Sequence, residues 1–339
     1  MLDQLVAAAK NYGASDLHLS VGKLPAIRVK GKIRYLHKNG ALLEQYSNNN
    51  ESIFEKDKLQ QIVLGLLTKK QIEIVDNVGQ VDLSWQSSVN IRCRINVYKE
   101  RGNYALAVRL ISNNIPTCEQ LGLNKVVQEL VKRKHGLLLV TGSTGSGKST
   151  TLASLVAKLN NEENLHIITL EDPIEYILPG GLVHQREINT DTVSFAAGLR
   201  SALREDPDVI LVGELRDAES LLAALQAAET GHLVLSTLHT CDAVSTINRI
   251  LDMLPEQREQ VRALLASVLL GVVSQRLILR RDKEERVAAR EILINNNAIA
   301  NLIREGKTHQ IYSYMETSGG LGMLTMQQAI RKLEREGIL

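Results

Sequence analysis

Leu137-Leu138-Leu139-Val140-Thr141-Gly142-Ser143-Thr144-Gly145-Ser146-Gly147-Lys148-Ser149 reads as a short apolar strand running straight into a glycine-rich loop. The loop satisfies every fixed position of the pattern G-x-x-x-x-G-K-[ST], and a helical pattern over 149–159 follows it. The residue types suit phosphate. Glycines at 142, 145 and 147 let the backbone curl with its N–H groups pointing inward, which makes a concave seat for phosphate oxygens. The helix start adds partial positive charge. Lys148 is expected to reach the β- and γ-phosphates and the Ser149 hydroxyl to bind Mg²⁺. Ser143, Thr144, Gly145, Ser146, Gly147 and Thr150 complete the expected cradle.

Three segments downstream narrow the chemistry. A strand over 165–170 ends in Glu171-Asp172-Pro173-Ile174-Glu175, and open α/β sheets bind ligands beyond the carboxyl ends of their strands. A blander use of Asp172, ahead of Pro173, is to cap a following helix. A strand over 208–212 ends in Gly213-Glu214, where a carboxylate can hold the attacking water opposite a γ-phosphate. A third strand, 233–237, is bracketed by His232 and His239. An imidazole at a strand end can bond a phosphate or a carboxylate network, and this spacing lacks metal-ligand logic. Strands alternating with helices from Val126 onward predict a parallel sheet covered on both faces.

Upstream the pattern differs. A helical stretch over 3–11 precedes period-two strands at 16–19, 26–29 and 32–35, the last two joined by a hairpin at Gly31. The polar segment 39–57, with Ser47-Asn48-Asn49-Asn50, reads as an exposed loop. A helix over 58–71 and antiparallel strands at 80–84, 88–98 and 103–110 follow. Asn113-Asn114-Ile115-Pro116 marks a break. The division is therefore 1–112, a hinge-like linker at 113–122, and 123–339 with C-terminal helices. A chain of 339 residues suits about two domains at roughly 150 residues each.

Composition excludes several classes. Lys plus Arg total 40 against 38 for Asp plus Glu, a net +2, which supplies no broad field for holding nucleic acid or a membrane. Aromatics are only 3%, too few to stack bases along a strand. Cys93, Cys118 and Cys241 have neither zinc-site nor redox spacing, so a reducing compartment is expected. The start Met1-Leu2-Asp3-Gln4 carries no secretory pattern. The longest uncharged apolar stretch, 263–273, falls short of the roughly 18–20 residues that cross a bilayer; core is its default reading, a ring-interior helix the alternative. A cytoplasmic protein is expected, without membrane insertion.

Taken together, the motifs resemble the secretion-type hexameric ATPases, and among them the PilT-like type IV pilus retraction motors. The matching stretches are the phosphate loop through Thr151 and Leu170-Glu171-Asp172-Pro173-Ile174-Glu175, the latter similar to the family's Asp box. Asp206-Pro207-Asp208-Val209-Ile210-Leu211-Val212-Gly213-Glu214-Leu215-Arg216-Asp217 is similar to its Walker B segment. Glu229-Thr230-Gly231-His232-Leu233 through Thr237-Leu238-His239-Thr240 is similar to its His box. Ala298-Ile299-Ala300-Asn301-Leu302-Ile303-Arg304-Glu305 is similar to a C-terminal helix motif of the retraction branch, with Ala300 where that motif usually has arginine.

The resemblance implies a small PAS-like α+β domain, then a RecA-like P-loop ATPase domain, in a ring of six at the cytoplasmic face of the inner membrane. It implies ATP and Mg²⁺ as ligands, and an inner-membrane pilus platform protein and other pilus ATPases as partners. Glu214 becomes the glutamate that polarises water; Glu171 and Asp172 organise Mg²⁺ and water; His232 contacts the phosphate region. Arg101, Arg109 and Arg94 of the N-terminal domain complete the site. Extension or secretion relatives usually carry a further N-terminal domain and a four-cysteine zinc insertion, which three cysteines cannot supply. A nucleic-acid translocase is disfavoured by the charge balance, and short basic runs such as Lys132-Arg133-Lys134 and Arg280-Arg281 read as solvated helix ends.

Overall fold

Alternating apolar and polar residues shape the first of two units in the computed structural model, which describes residues 1–43, 54–111, 114–281 and 286–339. The units are Met1–Asn114 and Ile115–Leu339. The first contains α1 (Leu2–Asn11), β1 (Ala14–Ser20), β2 (Ala26–Val29), β3 (Lys32–Tyr35), α2 (Lys56–Leu66), α3 (Lys69–Val78), β4 (Gln80–Gln86), β5 (Arg92–Glu100) and β6 (Asn103–Leu110). Its strands form one antiparallel sheet in the order β3-β2-β1-β6-β5-β4. Leu17, Leu19, Ile95, Val97, Leu106 and Val108 bury one face with Leu5 and Val6 of α1 and Leu59 and Val63 of α2. The expected β2–β3 hairpin is present, with Lys30 and Gly31 both at positive φ, the geometry of a two-residue turn.

Two expectations for this unit change. The single helix over 58–71 is two helices, because Thr68 starts a new one. Its hydroxyl accepts from the Gln71 backbone while the Gln71 side chain accepts from the Thr68 N–H, a capping box. The loop over 39–57 is not exposed at its edges: Gly40 is buried against Ala8, and Phe54 is a fully buried core residue. Residues 44–53 of that loop lie outside the described residues.

The second unit contains α4 (Lys125–Leu130), β7 (Gly136–Thr141), α5 (Lys148–Glu162), β8 (His166–Glu171), β9 (Leu182–Glu187), α6 (Phe195–Ala202), β10 (Val209–Val212), α7 (Ala218–Glu229) and β11 (Leu233–Leu238). It continues with α8 (Ala243–Met253), α9 (Arg258–Val268), β12 (Leu269–Leu279), β13 (Arg286–Ile294), α10 (Asn297–Arg304), α11 (Ile311–Thr317) and α12 (Met326–Arg335). The sheet order is β13-β12-β7-β11-β10-β8-β9, parallel except for β13 against β12. β7, β10 and β11 are buried along their whole length, as continuous apolar runs in two-face-covered parallel strands should be. Side chains alternate between two cores: Leu137 and Leu139 pack with α7 and α9 residues, Leu138 and Val140 with Leu152, Leu155 and Val156 of α5. This is the expected α/β architecture, with the small α+β unit before it.

Most of the segment read as a hinge-like linker, 113–122, packs within this second unit. Ser112 and Asn113 lie outside the described residues, but Ile115, Cys118 and Leu121 pack with Val127, Leu138 and Leu152. Buried Arg290 of β13 donates from Nη1 to the Leu121 carbonyl at 2.8 Å. Desolvation lowers the Arg290 pKa to about 10. The apolar stretch 263–273 is core, as the default reading had it, but it is half helix and half strand: α9 ends at Val268 and β12 begins at Leu269.

β12 approaches β13 closely at Gly271, where a Cβ would stand 2.5 Å from the Leu293 carbonyl oxygen. Gly271→Ala is therefore expected to lower the chemical denaturation midpoint by an overpacking cost of about 1–3 kcal/mol. A midpoint equal to wild type would show that β13 yields without cost.

Candidate active site

The parallel register brings the C-terminal ends of the central strands to one edge. Thr141 of β7 pairs with Leu238 of β11, and Val212 of β10 lies between Ser236 of β11 and Leu170 of β8. The loop 142–147, Glu171, Glu214 and His239 all follow at that edge. Gly142, Gly145 and Gly147 all have positive φ. At Gly142 space is also decisive: a Cβ would meet the Gln275 carbonyl oxygen at 2.4 Å and Ser146 Oγ at 2.6 Å.

Lys148 opens α5 and is buried, with Nζ donating to the Gly142 carbonyl at 2.8 Å and the Ser143 carbonyl at 3.1 Å. Burial lowers its pKa from the ordinary value, against the pull of Glu214 and Glu175. Ser146 Oγ is buried with no hydrogen-bond partner among the described residues. A hydroxyl stranded inside a ring of glycine amides, beside a desolvated ammonium, fits a phosphate group. Ser143, Thr144, Gly145 and Ser149 are exposed on the crest. Thr150 faces elsewhere, its hydroxyl 3.0 Å from that of Tyr176.

The carboxylates have contrasting surroundings. Glu171 accepts from Thr169 Oγ1 at 2.7 Å and Gln185 Nε2 at 3.1 Å, and burial pushes its pKa up. Asp172 precedes a cis peptide to Pro173, and no helix starts there, so the capping alternative has nothing to cap. Glu214 Oε2 accepts from Arg216 Nε at 2.9 Å, and Oε1 lies 3.4 Å from His239 Nε2. Arg216 also reaches Asp172, at 3.3 Å. One guanidinium thus ties together the carboxylates that follow β8 and β10.

His232 corrects the sequence reading. It precedes β11, and its carbonyl accepts from the Gly136 amide at the start of β7, so it lies at the opposite edge of the sheet from the loop. Six residues at about 3.3 Å each separate it from Leu238 by roughly 20 Å. Its Nδ1 is instead 3.0 Å from the Ala227 carbonyl. A fully extended strand cannot present both flanking histidines to one phosphate, so within one chain only His239 joins the site.

The candidate arginines belong to the first unit. Arg101 is an exposed residue at positive φ in the β5–β6 turn. Arg94 and Arg109 are cross-strand partners on β5 and β6. Arg109 Nε donates to Asp16 at 3.1 Å, and Arg94 Nε stands 3.7 Å from Asp82.

Two site residues were not singled out from the sequence. Arg216 is one. Gln275, buried mid-strand in β12, is the other: its Nε2 donates to the Ser146 carbonyl at 2.7 Å and its Oε1 accepts from Thr151 Oγ1 at 3.0 Å. It braces the loop against the helix that follows. The only sequence signal was a polar Ser274-Gln275-Arg276 run interrupting an apolar strand.

Comparison with known proteins gives the family of the chain. The type II/IV secretion system protein family is matched over residues 1–333. The chain belongs to that family. Among curated relatives, the type IV pilus retraction ATPase PilT of Pseudomonas aeruginosa is 42% identical over 341 residues, covering 100% of this chain and 95% of that protein. A twitching motility protein of Neisseria gonorrhoeae is 41% identical over 318 residues, covering 93% of this chain and 82% of that one. The crystal structure of the pilus retraction motor PilT with bound ADP aligns at a TM-score of 0.90 and 44% identity, covering 100% of this chain and 94% of that one. The RecA-like ATPase fold implied by the resemblance is thus the fold of this secretion family member.

Two outcomes follow from the site's hydrogen bonds. Gln275→Leu removes both braces at nearly constant volume, and ADP affinity should fall about tenfold or more, at about 1.4 kcal/mol per decade, while the unliganded fold persists by circular dichroism. Affinity equal to wild type would show the loop holds its shape unaided. Glu171→Gln keeps the acceptor oxygen and removes a partly desolvated charge. A carboxyl whose folded pKa is raised adds most stability below its unfolded pKa and loses it as pH rises through the folded value. Glu171→Gln should therefore unfold at a higher temperature than wild type at pH 7, and the gain should vanish below about pH 4. A lower melting temperature at pH 7 would contradict that sign.

Proposed function

We propose that this chain is the ATP-hydrolysing subunit of a homo-hexameric motor that drives type IV pilus retraction from the cytoplasmic base of the machine. The observation that carries the ATPase reading is the gathering of Lys148, Glu171, Asp172 and Glu214 at one sheet edge. The full-length likeness to PilT supports the choice of work.

Lys148 is already stripped of water and rests on two loop carbonyls. Exchanging those neutral acceptors for phosphate oxygens gives stronger, charge-assisted bonds. Ser146 Oγ gains its missing partner in the same movement. Ser149 Oγ, with Glu171 and Glu214 acting through water, would hold Mg²⁺, which neutralises charge on the β- and γ-oxygens. In hydrolysis the water oxygen attacks the γ-phosphorus, the bond to the bridging oxygen of the leaving ADP breaks, and Glu214 draws off the water proton. Arg216 and His239 hold the Glu214 carboxylate beforehand and fix its direction.

The exposed Arg101, with Arg109 and Arg94, would come from a neighbouring subunit of the ring. Asp16 and Asp82 hold the latter two in place until they are needed. A guanidinium inserted at the transferring phosphoryl group contributes about 10³–10⁵ in rate in studied cases. Hydrolysis then depends on how a neighbour is positioned, which is what a mechanical cycle requires. No described helix is long and apolar enough to cross a membrane. The motor would dock on an inner-membrane platform protein, alongside other pilus ATPases, without inserting and without nucleic acid.

Glu214→Gln tests the chemistry: ATP turnover should fall at least about 10²-fold, with ADP affinity within about twofold of wild type. Unchanged turnover would remove Glu214 from the mechanism. Deleting the gene tests the work, because loss of a retraction motor leaves excess surface pili, and bald cells would indicate extension instead.

A further inference from the structure

A second concave site lies at the opposite edge of the same sheet. Its volume is about 810 Å³, and it is walled by the approach to β7, the α9–β12 junction and the start of α10. That volume falls in the range of small-molecule sites, about 300–1,000 Å³. Arg133, Lys134, His135 and Arg304 line it, all exposed, and its lining includes no carboxylate among the described residues. Lys132 also lines it but is engaged by Glu129 and Glu162. Arg133 and Lys134 have no ion pair among the described residues, so their charge is available to a ligand. The amides at the start of α10 contribute little, since Asn296 Oδ1 already accepts from Ala298 and Ile299.

The other walls are of a different character. Leu269, Leu270, Ile294 and Ala300 give an apolar floor. Asn295, in the same wall, donates from Nδ2 to the Ala266 and Leu269 carbonyls at 3.0 and 2.8 Å. That fixes its amide orientation and leaves Oδ1 buried, with no donor among the described residues. A ligand complementary to these walls carries several negative charges and an apolar body. Inorganic phosphate has only the first, and a fatty acid carries a single charge against several cationic side chains.

We propose that this pocket is a second nucleotide site, distinct from the phosphate loop, which takes a nucleoside diphosphate with its phosphates on Arg133 and Lys134 and its base on the apolar floor. The strand between the two sites, β7, starts at Gly136, next to His135 of the pocket wall, and runs to the loop about 20 Å away at roughly 3.3 Å per residue. A ligand here cannot share contacts with one held by Lys148. β7 and β12 nonetheless connect the two sites directly.

Equilibrium dialysis of the full-length protein with radiolabelled ADP, GDP and UDP separates the sites. Lys148→Ala disables the phosphate loop and should still bind at least one of the three, saturating at one per chain. Adding Arg133→Glu and Lys134→Glu to that variant should weaken the remaining binding about tenfold or more. The same pair of charge reversals on the otherwise wild-type chain should leave ADP binding at the phosphate loop intact, which shows the fold survives. The proposal is overturned if Lys148→Ala binds none of the three, or if its binding ignores the charge reversals. It is overturned equally if inorganic tripolyphosphate binds as tightly as the nucleotides, or if a polyglutamate peptide binds there and no nucleotide does.

Discussion

The contact on which the rest depends is the approach of the Gly142 backbone to the Gln275 carbonyl, where a single added carbon would stand 2.4 Å away. Because nothing intervenes, β12 can brace the loop from beneath through the Gln275 amide, while Lys148 folds over the loop's own carbonyls from above. The loop is thus preorganised, and its amides need little rearrangement to accept a phosphate. Its cost is a desolvated lysine and an unpartnered Ser146 hydroxyl, both relieved by the same ligand. Nucleotide binding and stability are therefore coupled at this one point.

Around that point the sheet acts as an alignment device. Four parallel strands end together, so carboxylates far apart in sequence meet without any loop having to reach. Glu171 and Glu214 then differ by environment. Glu171 is half-buried among neutral hydrogen-bond donors, and desolvation raises its pKa. Glu214 is held between a guanidinium and an imidazole. The first arrangement is a stability cost kept for function, as functional sites commonly show; the second restrains a carboxylate in readiness. Arg216 makes the two strand ends one electrostatic unit by touching Asp172 as well.

Much of this was legible from the chain alone, for identifiable reasons. Strands buried on both faces are uninterrupted apolar runs, so β7, β8, β10 and β11 fall within a residue or so of their expected positions. The loop declares itself through glycines and a lysine at fixed spacing. Other features depend on neighbours that no local pattern contains. Thr68 divides a helix by a side-chain cap that apolar periodicity does not register. Residues 115–122 look like a linker until α4 and β7 supply a surface for Cys118 and Leu121. Gln275 acquires meaning only when β12 lies beside β7, more than a hundred residues earlier in the chain. Likeness to a motif assigns His232 to the phosphate region, although it precedes β11 and the loop lies beyond the strand's other end.

The most direct test of the central claim is a crystal structure of the full chain with Mg²⁺ and a non-hydrolysable ATP analogue. The account predicts that Lys148 Nζ leaves the Gly142 and Ser143 carbonyls for the β- and γ-phosphates, with Ser146 Oγ bonded to phosphate and the Glu214 carboxylate facing the γ-phosphorus across a water. A nucleotide seated with Lys148 still on those carbonyls and Glu214 turned away from it would contradict the account.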